Sequence, residues 1–383
     1  MADSDCLPVR SAELPRRALF GSILAASMAA SCSAAPASGN DVPELAERSQ
    51  TGVVTPPPKS VVMSSLDFAA TDRASVEATF RSLDEAIAGS EVTVAVGASL
   101  FDGRFGFQAL RPRRLGTMPA FPNDVLDARQ CHGDILVQVC AAESGEAERV
   151  SQRLAGATSR WLRPRWSIGG FRDENSATKD GRPSTRDLFG FREGAGNPDV
   201  NDPKLMDQLV WVQPGSDEPA WTAGGTYQVV RLIRFAPSLW DAESVARQET
   251  VIGRTKRDGS PLGRLGETTP FDYSSDPTGQ TIALDAHIRR ANPRRPETDQ
   301  NRILRRGYSY RRNAENPRDE GLIFICFQQD LERGFATVQR RLNGQALDKY
   351  ILPFGGGYYF VLPGPTHRPG DYAGKALIDA ARA

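Results

Sequence analysis

Histidine is almost missing from the chain, with three in 383 residues. A mechanism built on imidazole therefore has three candidates, His132, His287 and His367. Net charge is missing too. The 47 Lys and Arg balance the 47 Asp and Glu, so no overall field draws the chain to nucleic acid or a membrane surface, and a small-molecule partner is the expectation. Cysteine is sparse: beyond Cys6 and Cys32 near the start, only Cys131, Cys140 and Cys326 remain, without CxxC spacing. That argues against a disulfide framework and against a zinc site, and favours buried thiols, with a Cys131 to Cys140 bridge left open. A long apolar run is also lacking, since the weakly apolar stretch Gly21 to Ala30 is too short to span a bilayer.

What is present begins with that stretch. Pro15-Arg16-Arg17-Ala18-Leu19-Phe20 precedes it, and the combination reads as a signal peptide over residues 1–37. The paired arginines suggest the twin-arginine route, which carries proteins already folded, often with a cofactor in place. The expected destination is periplasmic or extracellular. A small-residue cut near Ala35 or Ala37 and a lipid-attaching cut before Cys32 both stand open. Residues 38–59, ending in Thr55-Pro-Pro-Pro58, read as a stiff linker, so ordered structure is expected from about Ser60.

The chain length suits two domains. From Asp72 to Ala88, Val76, Phe80, Leu83 and Ile87 recur at helical spacing, with Thr71 or Asp72 to cap the start and Gly89 the end. Glu91 to Ala95 and Gly133 to Ala141 read as strands, and Ser144 to Leu154 as a helix. The scheme repeats later, with strands at Thr226 to Phe235, Gly321 to Phe327 and Tyr358 to Leu362, and helices at Leu239 to Ile252 and Leu331 to Leu342. Two α+β domains of similar plan follow. Between the periodic stretches, Trp161 to Asn201 and Ser260 to Arg318 are long and aperiodic, which marks them as functional loops.

Those loops hold the informative residues. His287 lies in Ala283-Leu-Asp-Ala-His-Ile-Arg-Arg-Ala-Asn-Pro293, with no second ligand at zinc spacing, and a single axial imidazole is all that a haem iron needs. On spacing alone, a structural or solvated histidine stands beside that reading. Further motifs are Gly190-Phe-Arg-Glu193-Gly194, followed by Ala-Gly-Asn197-Pro198, and Arg302-Ile-Leu-Arg305-Arg-Gly-Tyr308. With Leu205 to Val212, Glu218 to Tyr227 and Ile351 to Gly357, they make the chain resemble the dye-decolourising peroxidases over nearly all of Ser60 to Ala383. The likeness is to their secreted branch, associated with iron uptake from haem.

The resemblance implies an α+β fold of two ferredoxin-like domains with antiparallel sheets in a barrel-like arrangement, residues 60–215 and 216–383. It implies one haem b per chain, in a pocket belonging mainly to the second domain. His287 becomes the axial iron ligand, and Asp330 the carboxylate that accepts a hydrogen bond from its far ring nitrogen, a role compatible with capping the helix before Leu331. Arg305 becomes the distal cation; the alternative is a grip on a haem propionate, for which Arg306 is the nearer rival. Gly190, Gly194 and Asn197 belong to the cofactor-binding loop. At Glu193 the chain departs from the family, which has Asp. The extra methylene changes the reach of the acid–base group, and a misplacement of about 1 Å can cost about a hundredfold in rate. Asp173, in Gly170-Phe-Arg-Asp173-Glu174, lacks the closing glycine and the Asn-Pro and ranks below Glu193. His132 is expected to order a turn and His367 to be solvated. Trp161, Trp166, Trp211, Trp221 and Trp240 are the candidate electron relays.

The function implied is peroxidase: hydrogen peroxide is reduced and a dye, phenol or other organic reductant is oxidised. Two readings compete with it. One is haem handling of the deferrochelatase kind, releasing iron from haem alongside iron-uptake components; the other is an exported binding protein without redox chemistry, whose Arg-rich loops take an anion. Nucleic acid is not an expected partner, and a homodimer is left open.

Overall fold

The computed structural model describes residues 50–69, 72–87, 89–175, 184–313, 319–366 and 368–383. The stretch read as a leader, most of that read as a linker, Thr71 and His367 lie outside the described residues.

The first half runs β1 (Ser60–Phe68), α1 (Arg73–Ile87), β2 (Glu91–Gly97), β3 (Ile135–Ala141), α2 (Ser144–Thr158), β4 (Leu162–Phe171). Its strands lie antiparallel in the order β2-β3-β1-β4. The second half repeats the plan with β5 (Thr226–Phe235), α3 (Val245–Ile252), β6 (Tyr308–Asn313), β7 (Asp319–Gln328), α4 (Thr337–Leu342) and β8 (Ile351–Val361), ordered β6-β7-β5-β8. Each is a ferredoxin-like βαββαβ unit. The halves are sewn together at two seams, β8 on β2 through Tyr359↔Gly97, Phe360↔Val96 and Val361↔Ala95, and β4 on β6 through Phe171↔Ser309. These eight strands therefore close into one antiparallel barrel and leave no free edge among themselves.

Closure gives the sheet two apolar faces. β3 is buried at every position, Ile-Leu-Val-Gln-Val-Cys-Ala, because one face fills the barrel and the other carries helices. Met63, Leu136, Trp166, Val230, Leu232, Ile323, Ile325 and Tyr359 pack inside. Outside, Val76, Phe80 and Leu83 of α1 and Ala147, Val150 and Leu154 of α2 pack on Val137 and Val139. The Asp72 carboxylate accepts the Ser75 N–H at 2.8 Å to start α1, and Gly89 ends it with φ 75°.

Some expected elements differ. The helix expected over Leu239 to Ile252 is two, Pro237–Asp241 and α3, because the Ser244 hydroxyl caps the second by accepting the Arg247 N–H at 3.2 Å. Leu331 to Leu342 likewise divides into a wide turn, Glu332–Ala336, and α4. β1, β4 and β6 had no sequence signal strong enough to name them. β4 reads Leu-Arg-Pro-Arg-Trp-Ser-Ile-Gly-Gly-Phe and is largely exposed on one face, so its arginines and proline hide the alternation. Cys131, Cys140 and Cys326 are buried free thiols, which closes the open question of a Cys131 to Cys140 bridge.

One buried ion pair ties the halves together. Arg231 of β5 donates through Nη1 to Asp124 Oδ2 at 3.0 Å, with a second contact between Nη2 and Oδ1, and Asp124 belongs to the β2–β3 connection. Both side chains are about 2% exposed or less. Asp124→Ala strands the guanidinium and is expected to destabilise the fold by about 3–5 kcal/mol, read from the shift in a denaturant midpoint. A loss below about 1 kcal/mol would mean that the guanidinium finds other partners.

Candidate active site

The segment carrying Glu193 is a tight ribbon. The Glu193 N–H donates to Thr185 O and the Asp187 N–H to Phe191 O, each at 3.0 Å, with Arg186 opposite Arg192 between them. Gly190 turns the ribbon at φ 86°, and a Cβ there would stand 2.6 Å from Lys256 Cε. Strand alternation then puts Thr185, Asp187, Phe191 and Glu193 on one face, with Arg186 and Arg192 on the other.

Arg305 sits in the short strand Leu304–Arg305, opposite Cys326 of β7. Asn197 clamps it. The Arg305 N–H and Nε donate to Asn197 Oδ1 at 3.1 and 3.2 Å, and Asn197 Nδ2 donates to Arg305 O at 2.8 Å. Arg305 Nη2 lies 3.3 Å from where a Cβ on Gly196 would stand, so that glycine leaves room for the guanidinium. Arg306 faces the other way. It enters the barrel and pairs with Glu91 at 2.6 Å, so the structure removes it as a rival for Arg305.

Glu193 approaches from the ribbon. Its Oε1 is 3.3 Å from where a Cβ on Gly307 would stand, and its Oε2 is 3.9 Å from Arg172 Nη1 and 3.4 Å from the Thr185 hydroxyl. Burial lowers the pKa of Arg305, and the Glu193 carboxylate works against that shift. The acid and the cation are therefore close enough to feel each other's charge.

His287 opens the short helix His287–Ala291. Its Nδ1 is 2.7 Å from Gln345 Oε1, and Gln345 Nε2 donates to Asp348 Oδ1 at 3.1 Å. Because the amide nitrogen is committed to Asp348, the amide oxygen faces the ring, so Nδ1 carries the proton and Nε2 is left for a metal. Burial pushes the imidazolium pKa down, Gln345 opposes the shift, and the Arg305 charge adds to it, which keeps the ring neutral. His287 and Arg305 each keep part of their surface accessible.

Asp330 is the expectation that the structure corrects. Its Oδ1 accepts the N–H groups of Glu332 and Arg333, each at 2.9 Å, and its Oδ2 pairs with Arg114 at 2.8 Å. It caps the turn after β7, and the group that accepts the His287 Nδ1–H is Gln345 Oε1. A search for an acid could not find an amide; the available signal was a polar residue in the loop between α4 and β8. Asp187 was also missed, because it precedes the motif. Asp173 pairs through its main chain with Arg186, and its side chain lies outside the described ones. His132 orders a turn at φ 60°, its carbonyl accepting from Ser65, Trp166 and Tyr359 at 2.6, 2.9 and 2.8 Å. Trp166, Trp211, Trp221 and Trp240 are buried, and Trp161 is half-buried.

A neutral imidazole whose Nε2 is left for a metal, a clamped cation and a carboxylate coupled to it are a donor set that fits haem. The fold and this polar core define a haem-dependent peroxidase. The chain belongs to the Dyp-type peroxidase family: residues 88–172 match its N-terminal profile and residues 184–366 its C-terminal one. It is 40% identical to a deferrochelatase of Escherichia coli strain K12, over 96% of this chain and 97% of that one. It is 42% identical to a deferrochelatase of Shigella flexneri over 86% of each. Among solved structures, a DyP-type peroxidase from Cellulomonas bogoriensis superposes with a TM-score of 0.78 at 33% identity, covering 87% of this chain and 96% of that one. Ferric DtpA from Streptomyces lividans gives 0.75 at 32%, covering 88% and 100%.

Gln345→Ala is expected to weaken haem affinity or activity about 10- to 100-fold by freeing the ring, measured by haem transfer to an apo-globin and by peroxide turnover. Gln345→Glu should draw the Nδ1 proton towards a carboxylate and make the ferric/ferrous potential more negative; an unchanged potential would show that this contact does not set the ligand's charge.

Proposed function

We propose that the chain reduces hydrogen peroxide on one haem b held by His287 and oxidises a dye, phenol or other organic reductant, with Glu193 and Arg305 as the catalytic pair. The observation that carries this reading is the Arg305 guanidinium, clamped by Asn197, which feels the charge of Glu193 and in turn bears on His287. The bound haem supplies the electrons that reduce peroxide. Glu193 takes the proton from one peroxide oxygen and returns it to the other, which leaves as water. Arg305 is a permanent cation, and its charge stabilises the negative charge that develops on the departing oxygen. Asn197 holds that cation in place, so little reorganisation is needed as charge moves. Gly190 and Gly194, both at positive φ, let the ribbon present Glu193.

A second reading stands on two features of the same site. His287, which would hold the haem iron, is backed by an amide where a carboxylate was expected, and the acid, Glu193, is the longer one. Both weaken the assistance given to peroxide cleavage and leave haem binding in place. With relatives named deferrochelatase, they support haem handling in iron supply. The Arg16-Arg17 pair before the weakly apolar Gly21 to Ala30 supports a twin-arginine leader over residues 1–37 and export to the periplasm in either case, and the repeat of the βαββαβ plan supports a division into residues 60–215 and 216–383.

Arg305→Leu is expected to keep the haem absorption band and lower the rate of reaction with peroxide about 100- to 1000-fold, followed by stopped-flow absorption. Normal reactivity in that variant would remove Arg305 from the chemistry. Glu193→Asp should accelerate the same reaction if the glutamate's reach is limiting. Release of iron from haem under anaerobic reducing conditions, with the porphyrin intact and no peroxide turnover, would favour the second reading.

A further inference from the structure

We propose that Asp187 is a second distal acid, a proton-relay residue that recharges Glu193 from solvent during turnover. The inference rests on the shuttle role given to Glu193 above.

The ribbon supplies the geometry. Thr185 lies opposite Glu193 and Asp187 opposite Phe191, so Asp187 and Glu193 are diagonal neighbours on one face. Diagonal positions on such a ribbon are about 7–8 Å apart, a gap that two carboxyl side chains and a single water bridge. Asp187 Oδ1 accepts the Phe191 N–H at 2.9 Å, and the N–H groups of Phe189 and Gly190 also bear on the carboxyl and work against the rise in its pKa. These contacts fix the carboxyl in the turn of the ribbon.

The charged groups around this face do not neutralise it. Arg305 is held by Asn197. Arg172 donates to Thr185 Oγ1 at 2.7 Å and to Gly307 O, and its Nη1 stands 3.9 Å from Glu193 Oε2, so its charge serves Glu193 rather than Asp187. Lys256 donates to Gln248 Oε1 at 2.7 Å and lies over the Phe191 ring, while Glu249 accepts the Lys256 N–H at 2.8 Å. Among the described residues no ion pair joins Asp187. Burial pushes its carboxyl up to about 7, and the charge on Glu193 adds to the shift. A carboxyl in that range donates a proton at neutral pH. Asp187 lies deep in the protein, yet it keeps accessible surface.

The reaction needs such a donor. Peroxide, two protons and two electrons give two waters; the electrons come from the organic reductant, and the protons must reach a buried site. Each passes from the Asp187 carboxyl to the Glu193 carboxylate, and Asp187 then takes another from solvent. The group donates while protonated, so turnover falls as pH rises through about 7.

The test uses the full haem-loaded chain and three variants. Asp187→Asn retains an oxygen for the Phe191 N–H. It is expected to keep the haem band and the first reaction with stoichiometric peroxide, to lose about tenfold or more in steady-state turnover, and to lose the fall in rate near neutral pH. By infrared spectroscopy, a protonated-carboxyl band titrating near pH 7 should vanish in this variant. Asp187→Glu should restore part of the turnover. In Glu193→Gln that band should persist with a lower midpoint, because the neighbouring charge is gone, and this readout holds whether or not Glu193 shuttles protons. A band unchanged in Asp187→Asn, an unmoved midpoint in Glu193→Gln, or an unaltered pH profile would overturn the proposal. Full peroxide reactivity in Glu193→Gln, with the midpoint shifted, would instead sink the role of Glu193 and leave the coupling of the two carboxyls standing.

Discussion

Closure of the sheet is the constraint on which the rest of this structure depends. Eight strands form a ring only if each half lends an edge to the other, β8 to β2 and β4 to β6. A closed sheet has an inside and an outside, and every strand residue is committed to one of them. Arg305 and Arg306 show the consequence most sharply. Adjacent and chemically identical, they point to opposite faces, one into the site with Asn197, the other into the barrel with Glu91. Their separate fates come from strand alternation alone.

Within the site, depth does the electrostatic work. Burial lowers the pKa of His287 and of Arg305 and raises that of Asp187, in each case as the largest influence. The three shifts suit three tasks. The imidazole is kept neutral and able to bind metal, Arg305 remains a cation because guanidinium does not deprotonate in this range, and one carboxyl is held near neutrality beside another. The surrounding hydrogen bonds then fix orientation: Asn197 for Arg305, Gln345 for His287, and the Phe191 N–H for Asp187. A site arranged in this way needs little movement of its own during reaction, which is where preorganised charge gains its effect.

Much of the fold was legible because burial on both faces writes itself into sequence. β3 is a nearly continuous apolar run, β5 is rich in β-branched and aromatic residues, and α1 carries Val76, Phe80 and Leu83 at helical spacing. β4 and β6 were not legible. They form a seam between the halves, and β4 carries Arg163, Pro164 and Arg165 on a largely exposed stretch. Site residues inside motifs, Glu193, Arg305 and His287, could be singled out by type and order. Gln345 and Asp187 could not, since the loop before β8 and the bend of the ribbon bring them close without any spacing rule. Asp330 misled for a related reason: a carboxylate just after a strand suits a ligand's partner and a turn cap equally well, and only the position of Arg114 decides it.

The two departures from the expected pattern act in the same direction. An amide oxygen behind His287 draws less on the Nδ1 proton than a carboxylate would, so the ring stays nearer to neutral imidazole and would give an iron held at Nε2 less electron density. A glutamate in place of aspartate moves the acid–base group by a methylene, against a Gly307 that leaves it room. Each change alone reads as a tolerated substitution. Together they soften both the push from the ligand and the proton transfer on the opposite face, while the clamp on Arg305 is kept whole. An arrangement that preserves the cation and relaxes its two partners favours holding haem over cleaving peroxide quickly. Under this reading the same residues serve a slow peroxidase and a haem-handling protein, and Gln345 and Glu193 set the balance between them.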